Sequence, residues 1–361
     1  MIYKKESVMK DVYQRLAEFL DTFPQRYPLN TESGIELKVL KHIFSPEDAE
    51  MAMKLTPMPE TATEVACRIG ADPEETEQML FEMSHKGQIF RIGKAGSYKY
   101  MATAFLVGII EFQMNRMTPE FAKDMAEFGP ILFDATWMKG KTRELRTIPI
   151  SESVDSDAQV MPYESAEAAI KSAKYIGVSD CMCRRQKELL NEPCSKPMEV
   201  CFHFGSGTHY FVENGMGRYI SQEEALSILK KGKEAGLVCQ LSSSQNAVAL
   251  CMCCDCCCGP LIAYKKYAKP SEMVNSSFFA RVSKADCVGC ELCEERCPMD
   301  AISTDDVACV NLDRCIGCGV CAVTCPAEAI KVFRKDKESE FVPEKDLLTA
   351  TMAIHQQRRE V

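Results

Sequence analysis

The sequence predicts an α+β protein with a mostly helical N-terminal part, a cysteine-rich centre and a C-terminal domain built on a repeat. Three observations predict this. Capping signals and apolar periodicity recur through the first segment. Eleven of the 21 cysteines fall between Cys181 and Cys258. Residues 287–326 write one run twice: Cys287-Val-Gly-Cys290-Glu-Leu-Cys293-Glu-Glu-Arg-Cys297-Pro298, then Cys315-Ile-Gly-Cys318-Gly-Val-Cys321-Ala-Val-Thr-Cys325-Pro326.

The 361 residues suffice for two or three domains. Hydrophobic residues make up 46% and charged residues 26%, an ordinary globular balance. A net charge of −9 argues against a nucleic-acid partner. The opening MIYKKESVMKDVYQRL lacks the apolar stretch of a signal peptide. The longest apolar run, residues 104–110, is too short to cross a bilayer, so no transmembrane segment is expected. Many cysteines without an export signal read as metal ligands in a reducing compartment, which makes the expected location cytoplasmic.

Composition shifts divide the chain at 1–103, 104–178, 179–278, 279–334 and 335–361. In the first segment, Val8, Val12, Leu16 and Leu20 place a helix over 7–21, interrupted by Pro24 and Pro28. A second helix covers 35–43. Ser45-Pro46-Glu47 caps a third that runs to about Leu55. Thr61 or Thr63 opens another that ends near Gly70, and Asp72-Pro73-Glu74-Glu75 opens one that ends near Gly87. Strands over 88–92 and 97–102 flank the turn Lys94-Ala95-Gly96. This order of helices and a two-stranded wing resembles a winged-helix domain. The resemblance implies DNA binding, but the helix in the recognition position carries Asp72, Glu74, Glu75, Glu77 and Glu82. Such a helix repels phosphate, so a structural or protein-docking role is expected.

Residues 104–137 read as helical, with Phe105, Ile109, Phe112, Met117, Phe121, Met125, Phe128 and Trp137 forming core or a packing surface, and Gly129-Pro130 breaking the segment. Residues 147–150 suggest an extended piece, 151–157 a loop, and 163–176 a helix capped by Ser165.

The central segment holds Cys181-Met-Cys183-Arg184-Arg185, Cys194, Cys201, His203 and His209. A helix with a capping box at Ser221–Glu224 ends at Ala235-Gly236. Cys239 follows, then Cys251, Cys253, Cys254, Cys256, Cys257 and Cys258. Six cysteines in eight residues cannot be ordinary core. The leading expectation is a third iron–sulfur cluster on Cys181, Cys183, Cys194 and Cys201. Cys181 and Cys183 join one site if the chain bends between them. The later run completes that site or holds another, and structural zinc is the alternative. Arg184 and Arg185 offset cluster charge, hold an anionic partner or form a solvated face. The two histidines read as structural. Cys67 and Cys309 stand alone and read as buried small hydrophobes.

In the repeat, three close cysteines wrap one side of an inorganic core and the fourth comes from elsewhere. Gly289, Gly317 and Gly319 suit a close backbone approach to a cluster. Structural zinc and a disulfide network are the rival readings. The eight cysteines resemble the two-[4Fe-4S] bacterial ferredoxin family over residues 279–334. That resemblance implies crossed ligation: Cys287, Cys290, Cys293 and Cys325 hold one cluster, and Cys315, Cys318, Cys321 and Cys297 the other. It also implies a returning strand over 327–333. A charge run over 335–340 and a helix over 343–357, with His355 facing solvent, complete the chain.

The whole layout loosely resembles multidomain iron–sulfur proteins of anaerobic bacteria. This implies an intracellular electron-transfer protein serving a partner oxidoreductase. Asp286, Glu291, Glu294, Glu295, Asp305, Asp306 and Asp313 offer a docking surface for a basic partner. A ferredoxin-coupled reductase with a catalytic central metal centre and, less favoured, a redox-sensing regulator are the alternatives. A homo-oligomer stays open. The sequence names no donor, acceptor or substrate.

Overall fold

The computed structural model describes residues 10–359. The helix expected over 7–21 is observed as α1, Val12–Asp21; the first residues of that expectation, including Val8, lie outside the described residues. Helices α2 (Ile35–Ile43), α3 (Pro46–Ala52), α4 (Ala62–Ile69) and α5 (Pro73–His85) follow their capping signals. The side chains of Ser45, Thr61 and Asp72 accept backbone N–H groups of the first turns of α3, α4 and α5. Strands β1 (Phe90–Ile92) and β2 (Lys99–Met101) pair antiparallel.

The connector departs from expectation. Its first stretch is irregular: Val107 has φ +52° and the backbone at Leu106 and Gly108 is non-helical. Helix α6, Pro119–Leu132, runs through Gly129-Pro130 instead of breaking there. Pro130 lies in the last turn, so it removes one N–H bond, to the Ala126 carbonyl, close to where the chain passes into the wider turn at 133–137. The helix expected over 163–176 is shorter. It is α7, Ala166–Ser172, capped by Ser165, because Ile176 already belongs to a strand.

The centre is a six-stranded antiparallel sheet. In chain order it comprises β3 (Leu145–Thr147), β4 (Ile176–Asp180), β5 (Glu199–Phe204), β6 (Gly217–Tyr219), β7 (Val238–Ser242) and β8 (Ala249–Cys253). The spatial order is β3-β7-β8-β5-β4-β6. Helices α8 (Met182–Leu189), α9 (Ser206–Glu213) and α10 (Gln222–Glu234) connect its strands, and α11 (Gly259–Lys265) leaves β8 after a tight turn. One sheet face is apolar: Val200, Phe202, Cys239, Leu241, Leu250 and Met252 pack with Ile170 of α7 and Leu229 of α10. The other face is built differently, as described below.

After α12 (Pro270–Met273), the C-terminal domain pairs β9 (Phe278–Val282) with the returning β12 (Ile330–Arg334), from Phe278 opposite Arg334 to Val282 opposite Ile330. Between them lie α13 (Leu292–Glu295), β10 (Ile302–Thr304), β11 (Ala308–Val310) and α14 (Val320–Val323). Helix α15, Leu347–Arg359, returns to the connector. Arg358 meets Glu144 at 2.9 Å with both side chains buried, and its guanidinium also donates to the Pro24 carbonyl. His355 is half-buried, not solvent-facing.

Cys67 and Cys309 are exposed, which corrects the expectation of burial. In α4 the buried residues are Ala62, Val65 and Ala66, and Cys67 falls beside that stripe. In β11 the strand alternation buries Ala308 and turns Cys309 outward.

Candidate functional site

Each cysteine run of the C-terminal domain turns its first three cysteines around a cavity, and the fourth crosses to the other one. One cavity is lined by Cys287, Cys290, Cys293 and Cys325. The other is lined by Cys297, Cys315, Cys318 and Cys321. Their apolar walls include Ile330 in the first and Ile302, Val310 and Ile316 in the second. The turns that make these walls need glycine. Gly317 has φ +68° and sits directly against the Phe278 carbonyl, where a Cβ would collide. Backbone amides already point at sulfur: Ala308 at Cys287 Sγ (3.4 Å), Ala301 at Cys297 Sγ (3.2 Å) and Ala280 at Cys315 Sγ (3.4 Å). The amides of Ala308 and Gly289 hold the Cys287 thiol below its ordinary value, whereas burial pushes Cys297 up.

The two cavities differ in exposure. Cys290 is exposed and Cys287 and Cys325 are half-buried, while Cys315, Cys318 and Cys321 are buried. The acidic residues Asp286, Glu291, Glu294, Glu295, Asp305, Asp306 and Asp313 are all exposed, together with Val288 and Leu292.

The second face of the central sheet carries sulfur. Gln240, Cys251, Cys201 and Ser179 are register partners across β7, β8, β5 and β4, so they form one transverse row on one face. Cys253 lies two residues beyond Cys251 and shares that face, since strand side chains repeat every second residue. Cys181 and Cys183 enter at the start of α8, and Cys258 precedes α11. The six sulfurs interact in sequence: Cys201 with Cys251, Cys251 with Cys253, Cys253 with Cys258, Cys258 with Cys183, and Cys183 with Cys181. The neighbouring thiols Cys181 and Cys251 hold Cys183 and Cys201 well below the ordinary thiol value, and the same proximity pushes Cys181 and Cys251 up. Gln240 Nε2 donates to Cys258 Sγ at 3.7 Å, and Ser179 Oγ bonds His203 Nε2 at 2.8 Å.

A separate group is more compact. Cys194, in the loop between α8 and β5, meets Cys254, Cys256 and Cys257 of the turn that opens α11. All four sulfurs lie within 4.8 Å of one another. Cys194 Sγ is 3.5 Å from Cys256 Sγ and 3.9 Å from Cys254 Sγ, and Cys256 and Cys257 are 3.7 Å apart. The Lys196 amide donates to Cys194 Sγ at 3.4 Å.

The expected grouping of Cys181, Cys183, Cys194 and Cys201 is therefore divided. Cys194 joins the late run, while the other three join Cys251, Cys253 and Cys258. The two arginines also separate. Arg184 is fully buried, donates to the Pro197 and Met252 carbonyls at 2.9 and 3.0 Å, and interacts with Cys254 as well as Cys181 and Cys253. Arg185 is exposed and pairs with Glu188. His209 bonds Tyr219 at 2.6 Å, as a structural histidine does.

Sequence reasoning missed Glu111. Burial pushes its carboxyl up to about 8, and Cys183 and Cys201 add to the rise; its Oε2 accepts the Gly108 N–H at 2.7 Å. No local motif announces it, because the irregular connector brings it to the thiols from a distant part of the chain.

The family described as "4Fe-4S dicluster domain" matches residues 286–329. Neither a curated protein nor a solved structure matches the chain. The chain thus carries a ferredoxin-like iron–sulfur domain as one part of a larger mixed α/β protein, and that domain supports a role in electron transfer. Among the described residues no helix is long and apolar enough to cross a membrane.

Proposed function

We propose that this chain is an intracellular electron-transfer protein of anaerobic metabolism in which two cubane clusters of the C-terminal domain exchange electrons with a third centre on the sulfur face of the central sheet. The carrying observation is the pair of cavities, each lined by four cysteines drawn from both runs. Such clusters supply one-electron transfer when bound. Cys287, Cys290, Cys293 and Cys325 would hold one, and Cys315, Cys318, Cys321 and Cys297 the other. The six interacting thiols from Cys201 to Cys181 would hold the third, with Arg184 offsetting its negative charge.

The chain's own residues connect these sites. The Ile150 N–H donates to the Cys318 carbonyl at 3.1 Å, and the Ile148 N–H donates to the Cys239 carbonyl, also at 3.1 Å. Cys239 precedes Gln240, whose amide reaches Cys258. A link of covalent and hydrogen bonds therefore runs from the inner cavity to the six-thiol row. At the outer cavity, the exposed acidic rim with Val288 and Leu292 suits a partner oxidoreductase with a basic rim and a small apolar centre. The five-part division at 103, 178, 278 and 334 fits this scheme, with the winged-helix-like helices and hairpin acting as a platform.

A second reading, a reductase with its own catalytic centre, is favoured by Glu111. A half-buried carboxyl beside the thiols, with its pKa raised, can hold a proton at Oε1 while Oε2 is occupied by Gly108.

The test is iron and acid-labile sulfide per chain after anaerobic purification. About twelve of each would support three cubane-sized centres, and about eight would confine redox chemistry to the C-terminal domain. Cys290→Ser should alter the electron paramagnetic resonance signal of a C-terminal cluster and leave that of the central centre intact. Cys181→Ser should do the reverse. Identical spectral losses in both variants would overturn the assignment of separate centres.

A further inference from the structure

The compact thiol group lies outside that electron path, and its dimensions set it apart from the other sulfur sites. Among the described residues it alone brings three or more potential ligands within 4.8 Å of one another. No three cysteines lining either C-terminal cavity approach one another so closely. One molecule thus displays two scales of tetrathiolate. A cubane separates its four thiolates by four iron atoms and needs the larger scale. A single tetrahedral ion with metal–sulfur bonds of about 2.3 Å needs sulfurs about 3.8 Å apart. Three of the six separations are 3.5, 3.7 and 3.9 Å, and the other three stay within 4.8 Å.

We propose that Cys194, Cys254, Cys256 and Cys257 bind one zinc ion in tetrahedral coordination, and that this ion is a structural staple without a redox role. Four thiols lose their protons to solvent on binding, which leaves a site of charge −2. Arg184, buried and interacting with Cys254, partly neutralises it. The Lys196 amide on Cys194 Sγ supplies a hydrogen bond of the kind that orients metal-bound sulfur. Exposed Cys256 gives the ion an entry from solvent.

What the ion fastens is visible in the fold. It ties the loop between α8 and β5 to the turn that begins α11. At the end of α11, Lys265 reaches Asp300 at 2.9 Å, and its carbonyl accepts Arg314 at 3.2 Å. Asp300 and Arg314 lie beside Cys297 and Cys315, so the staple steadies the inner cavity against the central sheet. This inference stands apart from the electron-transfer reading, and zinc and iron are counted separately in its test.

Metal analysis of the full chain, purified without oxygen, should give about one zinc per chain in addition to iron. Cys256→Ser and Cys194→Ser should each lower zinc at least severalfold and leave iron and sulfide unchanged. Exchange of the native protein with Co²⁺ should produce the intense ligand-field bands of a tetrahedral tetrathiolate, which keeps the test decisive if a variant fails to fold. Iron and sulfide falling together in these variants with no zinc present would assign a cluster to this site and overturn the proposal. A native protein with neither zinc nor Co²⁺ uptake, or with a single iron here, would overturn it as well.

Discussion

At the scale of single residues, the informative side chains are charged groups held where water is scarce. Asp124 is buried between Lys38 and His42 at 2.8 and 2.7 Å, tying α6 to α2. Burial alone would raise its pKa, but these partners hold it below the usual carboxylate value. Its contribution is therefore present above the unfolded value near 4 and is lost as pH falls through the lower folded value. Asp124→Asn should cost about 1–3 kcal/mol at neutral pH, measured by denaturant unfolding. The deficit should shrink in acid, and an equal deficit at low pH would contradict this account. Arg184→Gln removes the buried cation beside the six thiols. The midpoint potential of the central centre should become more negative while those of the C-terminal clusters hold, as followed by redox titration. Single residues were legible where they belonged to a run, as all eight cysteines of the repeat did. Glu111 was not, because its role arises from a tertiary approach that no spacing encodes. The exposure of Cys67 and Cys309 turned on which side of a short element faced outward.

At the scale of elements, local chemistry carried far. Ser45, Thr61, Asp72, Ser165 and Ser221 cap the helices their positions announce, since a cap is a contact within one turn. Sheet order is a long-range property, and the row Gln240–Cys251–Cys201–Ser179 depends on four strands meeting in register. That is why the sequence suggested Cys194 as a companion of Cys181 and Cys183, while the fold sends it to the α11 turn. Gly317 offers a test of the second turn of the C-terminal domain. Gly317→Ala drives a Cβ into the Phe278 carbonyl on β9. The variant should lose about four iron per chain, from the inner cavity, and keep the outer set. Full iron content in this variant would show that the turn adapts.

At the scale of the whole molecule, distant segments are locked together by few contacts. Arg358 of α15 pairs with Glu144 inside the protein and also holds the Pro24 carbonyl, so the C-terminal helix joins the connector to the N-terminal helices. Arg358→Ala strands the Glu144 carboxylate and should cost about 3–5 kcal/mol, with faster hydrogen exchange across 140–146. Neither partner was legible as such, since more than two hundred residues separate them. The unequal shielding of the two cavities has a further consequence. The outer site, with Cys290 open to solvent, meets dissolved oxygen first, while the inner site is screened by protein on every thiol except Cys297. Corrosion in air should then be ordered: of the iron held in the two C-terminal cavities, the outer half should leave in a fast phase and the inner half in a slow one. The outer cluster would be sacrificed while the inner survives, and a sample's handling history would be written in its iron content.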